Sequence, residues 1–344
     1  MIRTSHYLFA ALCLGSLFAC SRQFTDSYIV PKWCFAVFML FIVLAYEAVN
    51  ILFYRQNEQK DTRISVYGFI IVISCFLQAM FGVVQFFGFF QISTTLWVTG
   101  SFDNPAGFAA CLCAGFPFVG FLLSDSNKYI RYVGGLIGFV IVIAVILSQS
   151  RAGIMSIAFI CFILLNMKFF HKRWVKYLSL LCFALLLSGC YWMKKDSADG
   201  RLLIWRCSVS MVKDAPWLGH GIGSFEARYM DYQADYFRQY GLNRYSMLAD
   251  NVKHPFNEYL GVLLNFGFVG LLMILALITL LIYCYKKHPC AEKRIAFYSL
   301  ISIGVFSFFS YTFTYPFTWI VTFLCIIILT KEYIATVSYT HLRA

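Results

Sequence analysis

The chain has 344 residues, of which 60% are hydrophobic and only 13% charged, and its mean hydropathy is +0.72. A soluble domain of this length needs a far larger polar shell, so the composition excludes one. The net charge of +12 does not indicate nucleic acid either, because the basic residues gather in short loops between apolar runs.

Those runs are about 17–25 residues long, which suits a helix crossing ~30 Å of hydrocarbon. The short alternating segments of a membrane β-barrel are absent from the pattern. The fold class expected is therefore an all-α polytopic membrane protein with about ten transmembrane helices. The spans fall at 7–21, 33–53, 64–90, 105–123, 132–148, 152–170, 177–193, 257–284, 295–311 and 315–330. Residues 8–20 also read as a signal-peptide core, and Leu17–Cys20 loosely matches a lipoprotein cleavage site; the nine spans that follow favour a retained first helix.

Alternate loops carry the cations. Arg55, Lys60 and Arg63 follow the second span, Lys128 and Arg131 the fourth, Lys168, Lys172, Arg173 and Lys176 the sixth, and Lys286, Lys287, Lys293 and Arg294 the eighth. The positive-inside rule makes that side cytoplasmic. The opposite side then holds 22–32, 91–104, the tight Ser148–Arg151 turn and one long segment, 194–256. Residues 1–331 are expected to form one transmembrane domain with that large periplasmic loop inside it. The tail 332–344 ends in Val337–Ala344, which resembles translated cloning sequence, and carries no functional weight. A polar insertion this long among short loops marks a functional element.

The cysteines sit mostly in apolar runs as small hydrophobes. Cys111 and Cys113 have no second pair or nearby histidine, so no metal site is expected, and no cofactor. Cys190 and Cys207 flank a loop and could pair if it is extracytoplasmic. Glu47 is the one charge read as deep in a span.

Several fragments can carry chemistry. In Ser148-Gln149-Ser150-Arg151 the arginine reads either as a snorkelling helix-end anchor or as an anion ligand, with Ser150 adding a hydroxyl and Gly153 permitting close helix approach. Gly200-Arg201 opens a helical stretch on which Leu202, Trp205, Val209 and Val212 recur at helical spacing, with Arg201 and Trp205 one turn apart. That stretch reads equally as an interfacial amphipathic helix. Pro216–Phe225 contains Gly219, Gly221 and Gly223, a backbone able to approach a ligand closely; its His220 reads as an ordinary loop histidine before it reads as a catalyst. In Asp250–Tyr259, His254 has a side chain suited to proton transfer near neutrality, and Asn257 and Glu258 are placed to orient it or to bind sugar hydroxyls. Asp103-Asn104-Pro105 starts a helix and offers Asn104 to a substrate.

Taken together these pieces resemble the O-antigen ligase and O-antigen polymerase family of bacterial envelope glycosyltransferases. The matching features are Phe102…Asn104-Pro105…Phe108-Ala109, Ser150-Arg151, Gly200-Arg201…Trp205, Pro216…Gly219…Gly221…Gly223…Phe225 and His254…Asn257-Glu258-Tyr259-Leu260…Gly267…Gly270. They run in order over residues 64–285. The resemblance implies a helical fold related to other polyprenol-dependent (GT-C type) glycosyltransferases. It implies metal-independent transfer of an undecaprenyl-diphosphate-linked glycan to an acceptor hydroxyl, on lipid A-core or a growing glycan, at the periplasmic face of the bacterial inner membrane. Membrane lipids are the remaining partners. Arg151 and Arg201 correspond to the family's paired arginines and His254 to its loop histidine, with Ser150, Trp205, Asn257, Glu258, Asn104, Gly221 and Gly223 around the substrate. In one respect the chain departs from the pattern: the usual histidine directly precedes the asparagine, and here Phe256 holds that place. Ligase, polymerase and transfer to a protein acceptor share these motifs, with ligase favoured. A transporter or flippase is the rival from another class, but it would be expected to carry midplane ionisable residues or inverted repeats with broken helices.

Overall fold

Apolar runs must satisfy their own backbone hydrogen bonds, and helices do so within one segment. In the computed structural model every regular element among the described residues is helical. The structure describes residues 2–53, 61–89, 98–168, 173–193 and 195–341. The loop cations Arg55, Lys60 and Lys172, residues 91–97 of the 91–104 segment and Lys194 lie outside them, as does the side chain of Cys190. In chain order the helices are α1 (Ile2–Phe18), α2 (Ile29–Phe53), α3 (Asp61–Phe86), α4 (Pro105–Gly115), α5 (Val119–Leu123), α6 (Lys128–Leu147) and α7 (Arg151–Lys168). They continue with α8 (Arg173–Met193), α9 (Lys195–Asp214), α10 (Ser224–Tyr240), α11 (Glu258–Lys287), α12 (Ala291–Phe309) and α13 (Pro316–His341).

Among the described residues, five stretches are long and apolar enough to cross a membrane: Ile29–Asn50, Ser65–Phe86, Pro105–Leu123, Lys128–Leu147 and Glu258–Lys287. Thr4–Phe18, Arg151–Met167, Trp174–Leu185 and Pro316–Lys331 are shorter apolar helices. Together they fit a multi-pass membrane protein. α12, where a ninth span was expected, opens on Glu292, Lys293 and Arg294 and does not meet the same standard.

The chain divides into two compact units. The first comprises Met1–Ile160, Cys284–Gly304 and Thr312–Ala344. Three of its buried serines bond across helices: Ser302 Oγ donates to Cys113 O at 2.7 Å, Ser299 Oγ to Ala114 O at 2.6 Å, and Ser156 Oγ to Ser302 O at 2.8 Å. Small residues bring these helices close, as the sequence led us to expect of Gly153: a Cβ there would lie 2.9 Å from both Ala109 Cβ and Val145 Cγ1. Between α4 and α5 the span tightens into a 3-10 turn at Phe116–Phe118, where Pro117 removes an amide donor.

The second unit comprises Cys161–Tyr283 and Val305–Tyr311. Much of the 194–256 segment is helical here, and α9 and α10 enclose a core of Leu203, Ile204, Cys207, Met211, Phe225, Tyr229, Tyr245 and Leu264. Leu202 and Val209 are exposed, Trp205 and Val212 only flank the core, and the buried stripe lies on Leu203, Ile204, Cys207 and Met211. The helix also begins earlier than expected, at Lys195 rather than Gly200. Cys207 is buried among these residues as a free thiol, and burial pushes it up to about 11.

Candidate functional site

In the second unit α9 carries Arg201 and Trp205 one turn apart, and both reach the same two stretches of chain. The Arg201 guanidinium donates from Nη1 to Phe309 O at 2.6 Å, and its Cζ lies 5.0 Å from the centroid of the Phe256 ring. The Trp205 indole N–H donates to Pro255 O at 2.9 Å, and its ring meets Phe308 edge-on. A guanidinium held by a carbonyl and an aromatic face is fixed in plane while it keeps its charge.

His254 and Phe256 complete the arrangement. The His254 imidazole stacks on Tyr311, and the Phe256 ring packs against the same tyrosine at 5.3 Å and 66°. The structure thus brings Arg201, Trp205 and His254 together around Phe256 and Tyr311. Phe256 itself has φ +52°, a left-handed conformation that costs a bulky residue about 1–2 kcal/mol. This bend between Pro255 and α11 lets Phe256 reach Arg201 while His254, two residues earlier, lies on Tyr311. Such strain persists where surrounding contacts impose it, and it clusters at functional sites.

Other predicted residues have uses inside the fold. Asn257 caps α11, its Oδ1 accepting from Leu260 N at 3.1 Å, and Glu258 is the first residue of that helix. In the first unit Ser150 caps α7 by accepting from Gly153 N at 3.4 Å. Gln149, at φ +52°, turns the chain so that Arg151 heads the helix, half-buried. Asn104 caps α4 through Gly107 N at 2.9 Å and also accepts from Tyr315 OH at 3.2 Å. Arg151, Ser150 and Asn104 belong to the first unit, and Arg201, Trp205, His254, Asn257 and Glu258 to the second.

The glycine-rich segment has a partner that the sequence did not indicate. Its amides turn to α11, with His220 N donating to Leu264 O at 2.7 Å and Gly221 N to Asn265 O at 3.0 Å. In return Phe268 N donates to Pro216 O and Val269 N to Trp217 O, at 2.8 and 3.2 Å. Close backbone approach was the right expectation, but what approaches is the chain's own helix. Gly221 thereby has its amide engaged, and Gly223, at φ +79°, precedes α10. His220 is held on both sides: Nε2 lies 2.8 Å from Met211 O and Nδ1 3.0 Å from Arg228 Nη1. A carbonyl only accepts and a guanidinium only donates, so Nε2 carries the hydrogen and Nδ1 the lone pair. That is the structural histidine the sequence favoured.

The comparisons with known proteins cover these same elements. Residues 136–275, from α6 through the kinked part of α11, match the O-antigen ligase family. That stretch of the chain is similar to the family's domain. The motif resemblance is borne out by this match, which includes Arg151, Arg201 and His254. Along 97% of its length the chain is also 22% identical to the ComP-specific O-oligosaccharyltransferase of Acinetobacter baylyi, and it spans 62% of the length of that relative.

Three features escaped the sequence reading. Phe309 and Tyr311 follow α12 or close it, far along the chain from Arg201 and His254, and only their polar neighbour Ser310 hints at a break between spans. Lys32 is a buried charge more complete than Glu47. It is wholly inaccessible, donates to Ala19 O at 3.0 Å and Ser101 O at 2.8 Å, and lies 4.8 Å from the Phe102 ring centroid. Glu47 is half-buried and accepts from Ser5 Oγ at 2.7 Å. A lysine so near the start of an apolar run was visible in the sequence as a charge needing a partner.

Proposed function

We propose that the protein is an O-antigen ligase-like glycosyltransferase, which moves a glycan from undecaprenyl diphosphate to an acceptor hydroxyl at the periplasmic face of the inner membrane. The observation that carries this reading is the joint placement of Arg201 and His254 on one aromatic rim, within a stretch that matches the O-antigen ligase family. In this mechanism His254 takes the proton of the acceptor hydroxyl as its oxygen attacks the anomeric carbon. The bond from that carbon to the phosphate oxygen breaks, and undecaprenyl diphosphate leaves with the electron pair. Arg201 meets the charge developing on the leaving diphosphate, and Arg151 is the second cation the family resemblance assigns to it. Attack opposite the leaving group inverts the anomeric configuration. The reaction needs no metal, because arginines supply the positive charge.

Lipid A-core is the acceptor of the leading reading. The second reading is transfer to another acceptor, favoured by the likeness to the ComP-specific O-oligosaccharyltransferase. A polymerase joining repeat units has the same chemistry, with a lipid-linked glycan as acceptor. The test is transfer from an undecaprenyl-diphosphate-linked oligosaccharide by the purified chain in phosphatidylethanolamine–phosphatidylglycerol proteoliposomes. Lipid A-core, a second lipid-linked glycan and a protein acceptor would be compared. Arg201→Ala and Arg151→Ala are expected to abolish transfer while the protein still inserts, and wild-type turnover in both overturns the mechanism.

A further inference from the structure

The loop between α9 and α10 exposes an apolar edge. Trp217 is 68% exposed, Leu218 75% and Ile222 84%, in a segment otherwise used to grip α11. Exposed aromatic and aliphatic side chains side by side on a short loop call for a covering surface.

What lies beside them identifies that surface. α11 breaks at Gly267, whose φ of +61° and ψ of −158° interrupt the helical ladder. The break deprives Phe268 and Val269 of intrahelical acceptors and frees the carbonyls of Leu264 and Asn265. The loop closes all four, accepting on Pro216 O and Trp217 O and donating from His220 N and Gly221 N. It fits because two glycines let the backbones touch: a Cβ on Gly267 would lie 2.3 Å from Trp217 O, and one on Gly219 2.6 Å from Asn265 C. A break so fully satisfied by a neighbouring loop is what irregular backbone requires where water is scarce.

The depth agrees. α11 ends at Lys286 and Lys287, and ~20 residues back from there, the length of one hydrocarbon crossing, is the Gly267 break. The helix beside and beyond the break is apolar and exposed at Phe266, Phe268, Val269, Leu272 and Met273. Trp217 packs against Phe268, its ring centroid 6.0 Å away, so the loop edge continues the apolar surface of this span. Tryptophan favours the boundary between headgroups and acyl chains.

We infer that the Pro216–Gly223 loop is a membrane-inserted wedge, with Trp217, Leu218 and Ile222 among lipid acyl chains beside the Gly267 break. This assigns a lipid-facing role to part of a segment whose composition reads as aqueous. It does not depend on the transferase reading.

The test places an environment-sensitive fluorescent amino acid at Ile222 of the full chain, and in a second protein at Met247, which is 93% exposed on the 3-10 turn Ser246–Leu248. Neither side chain is in the core, so both proteins are expected to fold. Each is reconstituted in phosphatidylethanolamine–phosphatidylglycerol vesicles with and without brominated acyl chains. Emission at position 222 is expected to be quenched by the bromines more than emission at 247. Quenching at 222 no greater than at 247 overturns the proposal. Protection of 222 from both bromine and aqueous iodide would then mark a protein-covered face.

Discussion

The imidazole of His254 lies flat on the ring of Tyr311, with centroids 4.6 Å apart and planes 21° from parallel. A stack of this kind fixes the plane of the histidine ring, and therefore the direction of its nitrogens. Aromatic pairs are worth about 0.5–1.5 kcal/mol. Tyr311→Leu is expected to lower kcat for glycan transfer by up to about tenfold, the rate equivalent of that energy, while Tyr311→Phe keeps the stack and most of the rate. In a His254→Ala background Tyr311→Leu should cost nothing further, because the two residues act through one contact. A full additional loss there would show that Tyr311 acts elsewhere.

Arg201 separates charge from geometry. Lysine keeps the positive charge but loses the planar fork that reaches Phe309 O and the face of Phe256. Arg201→Lys is expected to lose about 100- to 1,000-fold in kcat, the usual cost of removing a positioned charge-stabilising donor. Substrate titration in proteoliposomes should place that loss in kcat rather than KM. A lysine variant within a few-fold of wild type would reduce Arg201 to a point charge.

The helices and the membrane class were legible because apolar run length is a local property. Contacts that depend on tertiary closure were not. The stripe of α9 that packs inside the unit was not singled out because Leu202, Trp205, Val209 and Val212 make as regular a pattern as the buried one, which passes through the small residues Cys207 and Ser208. Tyr311 was invisible as a partner of His254, since nothing local links a residue after α12 to one before α11. The Gly219–Gly223 pattern announced close backbone approach, and sequence alone cannot say whether a ligand or another helix approaches. Arg201 and His254 stood out as candidates because their residue types suit anion binding and proton transfer, and the structure gathers them with Trp205 around Phe256 and Tyr311.

Cys207 offers a probe of the second unit's integrity. Its thiol is shifted by burial from an ordinary 9.0 to about 11, so at pH 8 the reactive thiolate is scarce and enclosed. Maleimide should label Cys207 only after unfolding, as peptide mass mapping can check. The sign of the pH effect follows. A value raised in the folded state favours the neutral thiol there, so its stabilisation is complete below about 9 and is lost as the pH rises through about 11. Rapid labelling of the folded protein at pH 8 would mean that the α9–α10 core opens.

Three glycines of the loop and its helix make a graded test of the docking. Gly219, Gly221 and Gly267 all have positive φ, at +69°, +91° and +61°. Alanine pays about 1–2 kcal/mol for that backbone region wherever it occurs. At Gly221 nothing lies within 4 Å of an added Cβ, so Gly221→Ala should cost little more than this. At Gly219 and Gly267 the methyl would strike main-chain atoms at 2.6 and 2.3 Å, and backbone cannot rotate away as a side chain can. Gly219→Ala and Gly267→Ala are therefore expected to lower the Tm in detergent clearly more than Gly221→Ala. Hydrogen exchange should also speed up at the Phe268 and Val269 amides, whose acceptors are Pro216 O and Trp217 O. Equal shifts for all three variants, with those two amides still protected, would mean that the loop does not hold the break in α11 closed.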